Sequence, residues 1–171
     1  MNTPPKNALA DDFRAAMSKL AATVNVITAG DGEERRGLTA TAVCSMSVTP
    51  PSMLVCVNRF GEAHKAITSA GAFCVNILAD DQGETAMRFA GQTGDAGACK
   101  FKPHGWTKLA TGAPALDGAL VNVDCEIASI SDTESHSIII GNVQAIRFGS
   151  AASPLLHFER NFYSLASQSA L

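Results

Sequence analysis

Arg36-Gly37-Leu38-Thr39-Ala40-Thr41-Ala42-Val43-Cys44-Ser45-Met46-Ser47-Val48-Thr49-Pro50-Pro51, resuming as Met53-Leu54-Val55-Cys56-Val57-Asn58-Arg59, is the stretch on which the fold turns. Small hydroxylated and small apolar residues alternate where a buried strand ordinarily carries bulky ones. Thr39, Thr41 and Ser45 bring hydroxyls, Ala40 and Ala42 bring little bulk, and the backbone between them lies open. A flat ligand against such a ledge takes hydrogen bonds from main-chain N–H and C=O groups as well as from hydroxyls. The plain alternative is a Thr-rich edge strand, since β-branched residues favour extended structure. Pro50-Pro51 ends the run, because proline lacks the donor a continuing ladder needs. Met53 to Val57 then reads as a fully apolar strand with Asn58-Arg59 at its end.

Upstream, Asp11 or Asp12 caps a first helix in which Phe13, Met17 and Leu20 recur at helical spacing. Val24, Val26 and Thr28 alternate as a strand, and Asp31-Gly32 turns the chain toward Arg36. Downstream, a short helix runs from Glu62 to Ser69 and stops at Gly71, and Phe73 to Leu78 is an apolar strand. Asp81 with Glu84 resembles a capping box that opens a helix through Met87 to Phe89. Gly91 to Gly105, rich in glycine and polar residues, reads as a long surface loop of the kind that often binds something. Val121, Val123, Cys125 and Ile127 alternate with Asn122, Asp124, Glu126 and Ala128 as a strand with one wet face. Ile138 to Ile140 and Val143 to Phe148 form a second strand with a bulge at Gly141, and Leu155 to Leu165 is a short final element. Residues 1–10 and 167–171 are expected to be flexible termini around one domain, 11–166. Many strands with few helices suggest a small antiparallel barrel.

A chain of 171 residues suffices for one full hydrophobic core, and at 46% hydrophobic and 17% charged it sits at the lightly charged end of globular proteins. So few charges hint at surface hidden against a second copy. The net charge of −3 and the dispersed Lys and Arg leave no basic stripe, which argues against nucleic acid. No apolar run approaches the roughly 20 residues of a membrane span, and Met1 to Lys6 lacks the apolar core of a signal peptide. Of five cysteines, Cys44, Cys56, Cys74 and Cys125 lie in apolar strand-like runs, and Cys99 is expected to be the one that solvent reaches. No pair has C-x-x-C spacing, so neither a metal nor a dithiol is indicated. Reduced thiols point to the cytoplasm.

The Arg36 to Arg59 segment is followed by Ser69-Ala70-Gly71-Ala72-Phe73-Cys74-Val75-Asn76-Ile77-Leu78, Arg88-Phe89-Ala90-Gly91, Gly112-Ala113-Pro114, Ala119-Leu120 with Cys125, and Ser135-His136-Ser137 running into Gly141-Asn142-Val143. In that order and spacing the chain closely resembles the short-chain flavin reductases, the small partners of two-component flavin monooxygenases. The resemblance extends from Phe13 to about Leu165. It implies a mainly β fold: an FMN-binding split β-barrel of Greek-key type with a few peripheral helices, assembled as a homodimer. It also implies NADH or NADPH as donor, FMN or FAD as acceptor, and a monooxygenase partner reached through diffusing reduced flavin.

By the same resemblance Thr39, Ala40, Thr41, Ala42 and Ser45 line the isoalloxazine, through backbone groups on its pyrimidine edge. Phe89 and Ala90 stand beside the flavin and Arg88 reaches its phosphate side, although Phe89 reads equally well as core. Asn58, Arg59, Phe60 and Gly61 are otherwise a solvated turn. Where the family has Ser, Thr or Lys for the flavin phosphate this chain has Phe60-Gly61-Glu62, and Glu62 would repel a phosphate. Arg59 and exposed N–H groups around Gly61 are then the expected anchors. His136 falls where the family has a Gly-Asp-His-Thr-like motif whose histidine meets the nicotinamide nucleotide, with Glu134-Ser135 replacing the Gly-Asp. A lone strand histidine is otherwise a hydrogen-bonded structural residue, and His64, His104 and His157 have no comparable case. Asn161-Phe162-Tyr163 stands where the family writes a basic residue, Tyr and His, so Arg160, Asn161 and Phe162 complete the dinucleotide contacts.

Direct hydride transfer between two stacked rings needs no catalytic side chain, which fits a sequence without a Ser–His–Asp set or a metal cluster. No Gly-x-Gly-x-x-Gly stands between a strand and a helix, so the nicotinamide would lie in a shallow cleft without a Rossmann domain. Two other readings stay open at this level. One is the same fold reducing a corrinoid cobalt or another bulky acceptor; the other is a non-catalytic flavin-binding module.

Overall fold

The computed structural model describes residues 6–150 and 153–165. Helix α1 (Lys6–Met17) begins ahead of the expected cap, so residues 6–10 are helical and Asp11 and Asp12 lie inside the helix. Asp11 accepts a hydrogen bond from Arg14 at 2.6 Å. The ends expected to be loose lie outside the described residues at 1–5 and 166–171. Strands β1 (Ala22–Thr23), β2 (Asn25–Ala29), β3 (Arg36–Ala40), β4 (Val43–Val48) and β5 (Pro51–Asn58) follow, then α2 (Glu62–Ala70), β6 (Ala72–Ile77) and α3 (Gly83–Phe89). A hairpin of β7 (Trp106–Lys108) and β8 (Pro114–Leu116) precedes the long pair β9 (Val121–Asp132) and β10 (His136–Phe148), and the chain closes on β11 (Leu155–Phe158) and β12 (Asn161–Ser164).

Seven strands form one antiparallel sheet in the order β3-β2-β6-β9-β10-β5-β4, and β1, β11 and β12 form a second, smaller one. Inside the large sheet Ile27, Val55, Val57, Ile67, Phe73, Val75 and Ile139 make one buried cluster. On its other side Val24, Val26, Leu78, Phe89, Phe101 and Leu155 make another. Strand β2 lies between them and is therefore buried at every residue, instead of alternating. The two sheets meet at a closed ring of main-chain bonds: Val24 N–H donates to Leu155 O at 2.9 Å, Leu155 N–H to Leu78 O at 2.9 Å, and Leu78 N–H to Val24 O at 3.0 Å.

Three further expectations change. The wet face of β9 is wet at Glu126 and Ala128, which are exposed, but Asn122 and Asp124 are buried. Asn122 donates to Asn76 Oδ1 at 2.7 Å, and Asp124 accepts from Thr111 N–H at 2.7 Å and its hydroxyl at 2.6 Å. The cost of burying polar groups is met by these bonds. No capping box forms at α3, whose N-cap, Gln82, gives the helix no side-chain cap; Glu84 pairs with Arg88 at 2.8 Å instead. The Gly91 to Gly105 loop contains a 3-10 turn, Gly97–Phe101, that inserts Phe101 into the core against Phe89. The bulge is present: pairing shifts between Ile140 and Gly141, with the extra residue, Ala128, on β9. Gly71 ends α2 in the left-handed conformation, as expected.

Candidate functional site

Strands β3 and β4 are the two edges of the seven-stranded sheet, yet only Thr41 and Ala42 separate them. The sheet therefore curls until its edges approach without pairing. An unpaired edge presents main-chain donors and acceptors to whatever lies beside it. The ledge expected from the sequence is thus a real edge, although the Thr39 hydroxyl is already committed to Ala86 O of α3 at 2.6 Å. Two cavities open along β3.

The first, of about 490 Å³, is lined by Thr39, Ala40 and Thr41, by Ala86, Met87, Ala90 and Gln92, and by His157, Arg160, Asn161 and Phe162. It joins the expected ring-binding strand to the expected dinucleotide hairpin. The hairpin is turned by Glu159 and Arg160 alone, both at positive φ (48° and 66°), since Phe158 pairs with Asn161. Such two-residue turns match strand twist but normally carry Asn or Gly. Here an arginine is held in that strained conformation at the cavity rim.

The second, of about 470 Å³, is lined by Arg36, Gly37 and Leu38, by Asn58, Phe60, Gly61, Glu62 and His64, and by Phe89, Asp95 and Lys100. A Cβ at Gly37 would lie 2.7 Å from the Phe89 ring. Phe89 thus rests on the bare Cα of Gly37, at once core residue and cavity wall. Arg36 is fixed by donating to Glu33 O at 2.6 Å and Arg35 O at 2.8 Å, with its Nε 3.2 Å from Glu62 Oε2. Glu62 is therefore partnered, not a bare charge. Gly61 offers no side-chain cap to α2, so the first-turn N–H groups of Glu62 and Ala63 have no partner within the helix.

Both cavities are of ligand size, and their small strand residues, open edge and cationic side chains fit a flat ring with an anionic tail. Several expected contacts lie elsewhere. Arg59 braces the β9–β10 turn, bonding Asp132 at 3.0 Å and Thr133 O at 2.9 Å. The N–H groups of Phe60 and Gly61 are taken by the Asn58 side chain and carbonyl. Arg88 is locked between Glu84 and Asp95. Ala42 and Ser45 are exposed and line neither cavity. His136, opposite Asn58 in register, bonds Ser135 through its ring and also lines neither. Arg36, Lys100 and His64 line the second cavity without having been assigned to it from the sequence. Lys100 does lie in the loop marked as ligand-binding in character.

All five cysteines are free, and Cys44 is exposed as well as Cys99, because β4 is an edge. Burial, then the Asp124 charge, pushes the Cys125 thiol up to about 12, and the same causes raise Cys74 further. Among the described residues no helix is long and apolar enough to cross a membrane.

The Flavin reductase like domain family matches residues 17–166. The FMN reductase (NADH) RutF of Stutzerimonas stutzeri strain A1501 is 41% identical over 157 residues, covering 92% of this chain and 89% of that protein. The 4-hydroxyphenylacetate 3-monooxygenase reductase component of Pseudomonas aeruginosa is 37% identical over 153 residues, covering 90% of each. Among solved structures, the NADH:FAD oxidoreductase SgcE6 of Streptomyces globisporus, in complex with NAD and FAD fragments, superposes with a TM-score of 0.85 at 27% identity, covering 99% of each chain.

Proposed function

The chain belongs to the flavin reductase-like family, and on that premise we propose that it oxidises NADH, reduces FMN and supplies the reduced flavin to a partner monooxygenase. The observation that carries this reading is the first cavity, where an open strand edge of small residues faces a hairpin bearing Arg160, Asn161 and Phe162. A bound flavin would supply the electron-accepting chemistry, and hydride transfer from a nicotinamide would require no proton from a side chain. Thr39, Ala40 and Thr41 hold the ring plane through backbone groups and leave room for it. Phe89 and Ala90 close its side, and Arg36, Lys100 and the first turn of α2 hold the phosphate. Arg160, Asn161 and Phe162 orient the dinucleotide, and His136, outside both cavities, is assigned to it by the family resemblance alone. FMN with NADH is favoured by the 41% identical relative of that activity. Anaerobic addition of NADH to the protein with FMN should bleach the flavin absorbance, and persistence of the oxidised bands with NADH and NADPH, on FMN and FAD alike, would refute a reductase. His136→Ala should raise KM for NADH and leave flavin affinity intact.

A homodimer accords with the outward face of the large sheet. Directly paired residues share a face, so Cys44, Leu54 and Ile140 form one outward row and Cys56 and Ile138 the next. Met46 and Val48, at 54% and 86% exposed, extend this apolar surface along the β4 edge. Analytical ultracentrifugation tests it: a stable monomer with full activity would refute it. Five free thiols accord with the reducing cytoplasm.

A further inference from the structure

Between α2 and the β9–β10 turn runs a chain of hydrogen bonds that hydride transfer does not use. His64 Nε2 lies 2.8 Å from Ser137 Oγ, and that hydroxyl donates to Asp132 Oδ1 at 2.6 Å. Ser137 is fully buried, and Asp132 is held from its other oxygen by Arg59 at 3.0 Å. A carboxylate paired with arginine only accepts, and a serine has one proton to give. Ser137 gives it to Asp132, so its oxygen must accept from Nε2–H of His64. The two residues behind the imidazole thus dictate its tautomer: the proton sits on Nε2, and Nδ1 carries the lone pair.

His64 lines the second cavity together with two cations, Arg36 and Lys100, and two anions, Glu62 and Asp95. Glu62 is paired with Arg36, and Asp95 with Arg88 behind the wall. Among the described residues Lys100 is thus the one cation facing the cavity without an acidic partner. A phosphate dianion placed there lacks full compensation, and a neutral imidazole would offer it a lone pair. Protonation at Nδ1 turns that acceptor into a charged donor, while Ser137, oriented by Asp132, goes on accepting from Nε2–H.

We propose that His64 binds the flavin phosphate by taking up a solvent proton at Nδ1 and returns it when the flavin leaves, with Ser137 and Asp132 as positioning residues. This rests on the reading of the second cavity as the seat of the flavin's phosphate.

The test is calorimetric titration of FMN and of riboflavin, at about pH 8, in two buffers of different ionisation heat. There the flavin phosphate, with a second pKa of about 6, is already a dianion. Wild-type protein should take up part of a proton per FMN and none per riboflavin. His64→Gln should abolish the uptake and weaken FMN roughly tenfold, leaving riboflavin unchanged. Ser137→Ala, which keeps the imidazole but frees its orientation, should give a smaller loss that Ser137→Thr restores. Equal proton uptake in wild type and His64→Gln, or equal losses for the two flavins, overturns the role of His64. If FMN outbinds riboflavin and His64→Gln changes nothing, only this inference fails. If wild type binds both flavins equally, the assignment of the cavity to the phosphate fails with it.

Discussion

Along β3, the cavity at Thr39 to Thr41 is made by what the strand lacks, whereas the cavity at Arg36 to Leu38 is made by charges that the surroundings hold in place. In the first, small side chains expose an edge and the C-terminal hairpin supplies the opposite wall. In the second, Arg36 is tied to two carbonyls and to Glu62. A site made by absence is damaged by added atoms; a site made by balanced charge is retuned by any change in protonation or partner.

The contrast breaks most severely at Gly37, where the wall of the second cavity meets the core. Gly37→Ala puts a methyl 2.7 Å from a Phe89 ring that already packs edge-on against Phe101, at 5.0 Å between centroids. The expected cost is about 3 kcal/mol of stability, at the upper end for overpacking, with flavin affinity falling in what remains folded. Urea unfolding checks the first part and fluorescence titration the second.

Ala40→Leu tests the first cavity. A branched side chain on the ledge should cost about 2 kcal/mol of flavin binding, and because Ala40 also packs against the buried cluster of the large sheet the unfolding midpoint should fall as well, by less than for Gly37→Ala. Ala42→Leu, outside that cavity, should cost less. Unchanged flavin affinity in folded Ala40→Leu would remove the ledge from the site.

At the hairpin, the cavity wall and the backbone are opposed. Arg160→Gly relieves a left-handed residue at φ 66° and should stabilise the protein by about 1 kcal/mol, while raising KM for NADH with little change in kcat. A variant less stable than wild type, or one with unaltered KM, would show that the turn is not held strained for ligand contact.

The smallest effect separates both cavities from the core. Cys125 has its folded pKa raised to about 12 from an ordinary 9.0. The unfolded chain loses that proton first, so stability is full below about pH 9 and declines as pH rises toward 12. Urea midpoints at pH 8 and 10 should show a slope that Cys125→Ala reduces. Alkylating the exposed Cys99 should leave NADH oxidation unchanged, since no thiol lines either cavity.

This contrast also explains what the sequence made legible. The ledge could be read because its signal is local: Thr39 to Ala42 are consecutive, and their smallness is visible without a partner. The strands and the Gly141 bulge were equally local. The charged cavity was not legible, because Arg36, His64 and Lys100 come from three elements, and nothing in spacing shows which arginines are already spent. Arg59 and Arg88 had the better sequence case and proved bound to Asp132, Glu84 and Asp95. The wet face assigned to β9 held at Glu126 and Ala128 and failed at Asn122 and Asp124 for the same reason: the β7–β8 hairpin covers those two, and only tertiary structure supplies their partners.

The ring of bonds among Val24, Leu78 and Leu155 has a consequence for how such a protein can diversify. It fastens the root of the C-terminal hairpin by peptide groups alone, so the fastening does not depend on which side chains stand at the tip. Residues 159 to 163 can therefore be exchanged as a cassette while the barrel keeps its fold. On the proposed dinucleotide contacts, a lineage, or a designer, would change the preference between electron donors in that one short segment without first solving the rest of the molecule again.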